Sequence, residues 1–237
     1  MSGGGQYLRG ALVEFMESFP IPIPNVILFQ YNPETMTHSW TPAKTGGAST
    51  PGQSPSNPLA ISGSPEEQFS FTLQMDSNDT IADGSAVTAG LATVSGVYPR
   101  LAALEMLLFP TSPPGGGLIG SISSALGIGG SPPPATAVPA AQLPTVLFVW
   151  GPGRIAPVRV TALSITEKLY DGTLLNPIHA EAQITLKVLT SEELKFVDGP
   201  LGILANAATT YTSGLREALA IANLANSVES IIGMLPV

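Results

Sequence analysis

The sequence predicts a mainly β fold of the α+β class, and two segments that alternate strictly between apolar and polar residues carry this prediction. In the segment from Gln68 to Asp76, the apolar residues are Phe69, Phe71, Leu73 and Met75. In the segment from Pro177 to Val188, the alternation continues without a break from Ile178 onwards. Because the side chains of a strand point alternately to opposite faces, each segment is a predicted strand with one buried face and one polar face.

A long hairpin is the third sign of an antiparallel β domain. Thr145–Trp150 is a short apolar run, a glycine-proline-glycine turn follows it, and Ala156–Tyr170 is long enough for an extended strand. The connection back to the last strand ends at Asn176-Pro177. Near Ala162 the apolar phase slips by one residue, which predicts a β-bulge.

The β domain is predicted to span residues 25–198. It opens with the apolar strand Asn25–Tyr31 and includes two helices, at Ala86–Val94 and at Arg100–Phe109, the second with Pro99 in its first turn. Two proline- and glycine-rich insertions, at 41–65 and 110–144, are predicted loops because they contain hardly any charge and no sustained apolar period.

Helical segments are predicted on both sides of this domain. Residues 6–18 place apolar side chains on one helical stripe, which predicts an N-terminal helical extension over residues 1–24. At the other end, the alanine-rich residues 199–237 form a predicted helical tail with a break at Gly214.

The charge content favours a subunit of an assembly over an isolated monomer. Only 11% of the residues are charged and the formal net charge is −8, so the chain has few charges with which to coat a free surface. Without a cluster of lysines and arginines, nucleic acid is not an expected partner. The uncharged stretch 106–153 is interrupted too often by proline and glycine to insert into a membrane. The first residues do not resemble a signal peptide, so we expect a cytoplasmic location.

Residues that often carry chemistry are present, but not in catalytic or metal-binding patterns. The two histidines, His38 and His179, lack a second ligand at metal spacing. The segment Asp76–Asp83 lacks the glycine and glutamate of a calcium loop. The chain has no cysteine, no phosphate-binding glycine loop and no nucleophile elbow. We therefore expect no catalytic residue, no metal and no cofactor, and a protein that is not an enzyme.

Six short motifs in a fixed order resemble a known family. They are FQYNPE (Phe29–Glu34), EQFSFTLQMD (Glu67–Asp76), PRLAALE (Pro99–Glu105), VLFVWG (Val146–Gly151), SITE (Ser164–Glu167) and NPIHA (Asn176–Ala180). This series, over about residues 26–190, resembles the tube-type domain of contractile injection system proteins that initiate or adapt the inner tube of phage-tail-like particles. The motif positions are Phe29, Asn32, Pro33, Asp76, Trp150, Gly151, Glu167, Asn176, Pro177 and Ala180.

The resemblance implies a structural, ring-forming protein. Its fold would be a tube-type antiparallel β-barrel or sandwich, and strands of successive subunits, commonly six, would join around a channel. The implied partners are further copies of the chain, the inner tube protein, the spike or hub protein and other baseplate proteins, inside a particle assembled in the cytoplasm. The residues expected at subunit interfaces are Leu12, Phe15, Ile178, Ala182, Ile184 and Leu219.

Two alternatives stay open at this stage. The ring could terminate the tube or adapt a cap at the opposite end of the particle. In a different class of function, the chain could be a stand-alone β-sandwich module that binds a ligand through its proline- and glycine-rich loops.

Overall fold

A computed structural model of the chain describes residues 8–16, 23–45, 61–83, 86–109, 143–197 and 199–234. The strands are β1 (Ala11–Met16), β2 (Ile23–Leu28), β3 (Met36–Thr41), β4 (Lys44–Thr45), β5 (Ile61–Ser62), β6 (Glu66–Asp76), β7 (Val146–Val149), β8 (Ile155–Tyr170) and β9 (Pro177–Val188). Seven of them form one antiparallel sheet in the order β2-β1-β7-β8-β9-β6-β3, and β4 pairs with β5. The sheet is not closed into a barrel, which corrects the barrel expectation and leaves β2 and β3 as its edges.

The predicted N-terminal helix is wrong, because residues 11–16 form strand β1. β1 lies between β2 and β7, so that Leu12 is paired with Ile27 on one side and with Phe148 on the other. Ala11, Leu12 and Glu14 are all buried. β1 has apolar side chains on both faces, with Ala11 and Val13 on one face and Leu12 on the other, so its residues do not alternate between apolar and polar. An apolar run of this kind satisfies a helical period equally well.

The two alternating strands and the hairpin are confirmed. Side chains are buried at every second position along β6 and from Ala180 to Leu186 in β9, and β8 pairs with β9 along most of its length. The predicted bulge is present as a register shift between Val160 and Ala162. In the turn, the Asp171 carboxylate accepts hydrogen bonds from the backbone N–H groups of Thr173 (3.2 Å) and Leu174 (2.8 Å), which is a standard use of aspartate in turns.

Three short helices follow β6 in the chain, and the third packs on the apolar face of the sheet. They are α1 (Ser77–Asp83), α2 (Ala86–Ser95) and α3 (Tyr98–Met106), so both predicted internal helices are confirmed. In and just after α3, Leu101, Leu104 and Leu107 are buried in the same cluster as the inward residues of β6 and β9. Phe69, Phe71 and Phe148 form the aromatic centre of this core, with ring centroids 5.3–5.6 Å apart.

The C-terminal helix α4 (Gly199–Met234) is a single helix of 36 residues. The predicted break at Gly214 is wrong, because the helix continues through that position. α4 packs beside the end of β9 and the start of β8: Ala205 contacts a small cluster that contains Leu189 and Leu194, and the Thr212 hydroxyl donates to the carbonyl of Ile155 at 2.6 Å. In the described part of the chain, no helix combines the length and the apolarity needed to cross a membrane.

The two predicted insertions lie mostly outside the described residues. Of the first, residues 41–45 and 61–65 are described, and of the second only 143 and 144. The side chain of Phe15 is likewise outside the description, although its backbone is part of β1.

Candidate functional site

The polar face of the sheet is the surface that the described elements leave uncovered. Pairing across the strands places residues of neighbouring strands in common rows. One row contains Ser164, Gln183 and Thr72, and the next contains Thr185, Ser70 and Thr37. These two central rows carry hydroxyl and amide groups and no formal charge, so the middle of the face is neutral and hydrophilic.

Ion pairs border this neutral zone at both ends. At one end, Lys168 Nζ lies 2.6 Å from Glu181 Oε1, and the hydrogen bond from Lys168 lowers the pKa of Glu181 below its ordinary value although burial opposes the change. At the other end, Lys187 Nζ lies 3.2 Å from carboxylate oxygens of both Glu66 and Glu193. Burial acts to lower the pKa of Lys187, but its two acidic partners outweigh burial and raise the pKa. These lysines and carboxylates are matched locally, whereas Arg159, paired with Lys187 on the same face, has a buried Nε without a hydrogen-bond partner among the described residues.

Several motif residues hold the helices to one end of the sheet. Asp76 ends β6, and its carboxylate accepts a hydrogen bond from the backbone N–H of Asn78 (2.8 Å) at the start of α1, as a helix-capping aspartate does. On the neighbouring strand end, the Asn176 side chain donates to the carbonyl of Val94 (2.6 Å). The carbonyl of Pro177 accepts the backbone N–H of Val97 (3.0 Å). These positions therefore join helices to strands.

Other motif residues fix the first strand and the aromatic core. The Asn32 side chain accepts from the backbone N–H of Gly10 (2.9 Å) and donates to the carbonyl of Leu8 (2.8 Å). Phe29 is buried, and its ring centroid lies 6.3 Å from that of Trp150. After Trp150, Gly151 turns the chain with φ of 65°, a conformation that suits glycine.

The remaining motif residues are also part of the packing or the hydrogen bonding of the fold. Pro33 is half-buried beside Asn32, and Ala180 is fully buried in the core. Glu167 accepts a hydrogen bond from the Tyr170 hydroxyl (3.2 Å) near the hairpin tip. The motif positions thus form several separate joints and do not converge on one site.

The residues expected at subunit interfaces occupy different environments. Leu12, Ala182 and Ile184 are each 0% exposed, so the core of the single chain accounts for them. Ile178 is half-buried. Leu219 on α4 is 62% exposed and remains available to a neighbouring molecule.

A buried carboxylate that the sequence analysis missed attaches α4 to the sheet. Glu67 is 5% exposed; it accepts a hydrogen bond from Arg216 of α4 and lies 2.8 Å from His38 Nε2. The Arg216 guanidinium also lies over the Trp40 ring, 4.8 Å from its centroid. The sequence did indicate that Glu67 is buried, because this residue occupies an apolar-face position in the alternation of β6.

We predict that Arg216→Met loosens the C-terminal part of α4. The change leaves the buried Glu67 carboxylate with His38 as its partner among the described residues, and an incompletely paired buried charge is costly. Amide hydrogen exchange in α4 beyond residue 212 should become at least about tenfold faster, while exchange in β9 stays unchanged. Glu217→Gln, on an exposed position of the same helix, is the control. Equal exchange in both variants would show that the Glu67 contact does not hold α4.

Among the described residues, no group of three or more histidine, aspartate and glutamate side chains is placed so that it could hold a metal ion. The segment Asp76–Asp83, considered above as a calcium-like loop, is the end of β6 followed by α1. His179 lies on the polar face with Nδ1 3.7 Å from an Asp76 oxygen. The sequence matches no family model and no curated protein.

Proposed function

We propose that the chain is a structural subunit of a ring in a contractile injection system, where it initiates or adapts the inner tube at the baseplate. The single observation that carries this proposal is the two-faced open sheet. Its apolar face is buried in the chain's own core, where α3 packs on it, whereas the centre of its polar face is neutral and is left uncovered by the described elements. A surface of this kind is suited to line a water-filled channel without binding what passes through it.

The edges of the sheet support assembly from several copies. β2 and β3 each pair with a single neighbour in the described sheet, and β2 exposes Val26 (53%) and Leu28 (48%). Unpaired edges with apolar side chains favour pairing with another chain. In a ring, β2 of one subunit and β3 of the next would extend the sheet, and closure would leave no edge exposed.

Further apolar surface lies at the hairpin tip and along α4. Leu169, Leu174 and Leu175 at the tip, and Ile203 and Leu219 on α4, are each more than half exposed. Apolar groups grouped on a protrusion are typical of contact surfaces. We assign them to contacts with neighbouring subunits, the next ring or the spike. The position at the baseplate end follows from the resemblance carried by the six ordered motifs.

The test is whether the chain assembles. We expect ring-shaped particles by negative-stain electron microscopy and a mass of several subunits by light scattering, at high concentration or together with the proteins encoded by adjacent genes. Leu28→Lys places a charge on the edge strand β2 and should reduce the assembled fraction, while Gln183→Lys on the polar face should leave it unchanged. A chain that stays monomeric under all these conditions contradicts the proposal and favours the stand-alone binding module.

A further inference from the structure

A cleft with two arginines lies between the N-terminal segment and the three short helices. Its volume is about 350 Å³, at the small end of the range of roughly 300–1,000 Å³ typical of ligand sites. Its apolar wall is formed by α2 and the start of α3. The residues that line the cleft include Arg9, Arg100, Asp79, Tyr31, Leu91 and Val97.

Most polar groups of the cleft wall already have partners. The side chain of Gln30 donates to the backbone carbonyl of Asp76 (2.8 Å) and accepts from its N–H (3.0 Å). The Thr80 hydroxyl donates to the same carbonyl (3.1 Å). The Tyr31 hydroxyl donates a hydrogen bond to the Asp79 carboxylate. The fixed wall therefore offers a ligand few free acceptors and few free neutral donors.

The two arginines are the groups left without a partner. Among the hydrogen bonds and ion pairs of the described residues, no carboxylate lies within bonding distance of the Arg9 or Arg100 guanidinium. Burial, and secondarily the positive charge of Arg9, lower the pKa of Arg100 from its ordinary value. Arg9 is exposed and Arg100 is half-buried, and both line the cleft. Two like charges that line one cleft favour the binding of a counter-ion. Guanidinium groups carry only donors, in a planar fork that matches a carboxylate.

We propose that this cleft binds a carboxylate carried on a short aliphatic stem. The two arginines and Asp79 leave a net charge of one positive unit in the cleft, which one carboxylate group neutralises. The carboxylate would lie between the two guanidinium groups, and the stem would pack on Leu91, Val97 and the neighbouring apolar wall. The stem can belong to a free small molecule or to an acidic side chain of a neighbouring protein copy, and both present the same chemistry.

Glutarate, a dicarboxylate with a three-carbon stem, is the probe for the site itself. We expect saturable binding by calorimetry, accompanied by shifts of the Arg9 and Arg100 Nε–Hε signals in NMR spectra. Arg9→Gln and Arg100→Gln should each weaken binding about tenfold or more, because each removes charge-assisted hydrogen bonds. Lys195→Gln, at an exposed position in the short helical turn after β9 and outside the cleft, removes the same charge and should bind like the wild type. The uncharged 1,5-pentanediol should not bind.

Self-association distinguishes the two sources of the carboxylate. In sedimentation velocity experiments without glutarate, weaker self-association of the two arginine variants, and competition by glutarate in the wild type, would identify a neighbouring copy as the source. Unchanged self-association together with lost glutarate binding would identify a free small molecule. Both outcomes support the site. Glutarate binding does not require ring formation, so the glutarate titration separates this inference from the proposed function.

The inference is overturned in two ways. Glutarate could bind the wild type, both arginine variants and Lys195→Gln with equal affinity, or it could bind none of them. Alternatively, the thermal midpoints of Arg9→Gln and Arg100→Gln could fall by several degrees relative to Lys195→Gln. Because neither guanidinium bonds to a described residue, a fall of that size would mean that the arginines stabilise the fold and do not hold a ligand.

Discussion

Ala182→Lys is expected to abolish the native fold or to lower its free energy of unfolding by at least about 4 kcal/mol. Ala182 is 0% exposed and is paired with Leu73 of β6 and Ile165 of β8. The longer side chain has no space between these neighbours, and its ammonium group would be buried without a carboxylate. Both the overpacking and the unpaired charge act on the folded state.

Gln183→Lys is the matched control for this variant. It introduces the same side chain one residue later, where Gln183 is exposed and is paired with Thr72 and Ser164 on the polar face. We expect a change within about 0.5 kcal/mol, as for most surface substitutions. The measurement is urea denaturation followed by circular dichroism. Equal stability of the two variants would mean that the faces of β9 are assigned the wrong way round.

The same pair of positions shows why part of this fold was predictable. β6 and β9 are buried on one face, so alternate burial appears directly in the order of apolar and polar residues. β1 has apolar residues on both of its faces and therefore shows no alternation, and its apolar run also fits a helical stripe. The continuous α4 was interrupted in the prediction because glycine has a low helix propensity, yet no side chain or backbone atom lies within 4 Å of a Cβ added at Gly214. A long helix tolerates a single glycine in its interior.

The candidate sites were harder to predict than the strands. The existence of a polar face follows from the alternation. Its extent depends on which strands are neighbours in the sheet. The order of the strands is set by pairing between residues far apart in the chain, such as Ser70 and Thr185. The Arg9 and Arg100 cleft joins a residue before β1 to the start of α3. Only Glu67 left a local signal, as an acidic residue in the apolar phase of β6.

The motif residues show a related limit. Their order along the chain indicated a family, but their roles became visible only when the helices were placed against the sheet. Asp76 caps α1, Asn176 bonds to Val94 near the end of α2, and Pro177 bonds to Val97 between α2 and α3. A short motif that joins two elements is recognisable in a sequence without revealing what it joins. The joint at Pro177 depends on one glycine of the segment that it binds.

Gly96→Ala is expected to destabilise the protein by about 3 kcal/mol or more, because it combines backbone strain with a steric clash. Gly96 has φ of 59°, and a Cβ at this position would lie 2.3 Å from the carbonyl oxygen of Pro177. That oxygen accepts the hydrogen bond from Val97, so relief of the clash must break the joint. Since Gly96 and Val97 line the arginine cleft, glutarate affinity should fall in the same variant.

Two other glycines separate the causes of this effect. Gly90 lies within α2 with no atom within 4 Å of an added Cβ, so Gly90→Ala should stabilise the protein by about 0.5–1 kcal/mol. Gly151 has φ of 65° but equally free space, so Gly151→Ala should show the conformational cost alone, about 1–2 kcal/mol. Urea denaturation of the three variants gives these values. If Gly96→Ala costs no more than Gly151→Ala, the contact with Pro177 is not tight, and the helices are held to the sheet mainly by their apolar side chains.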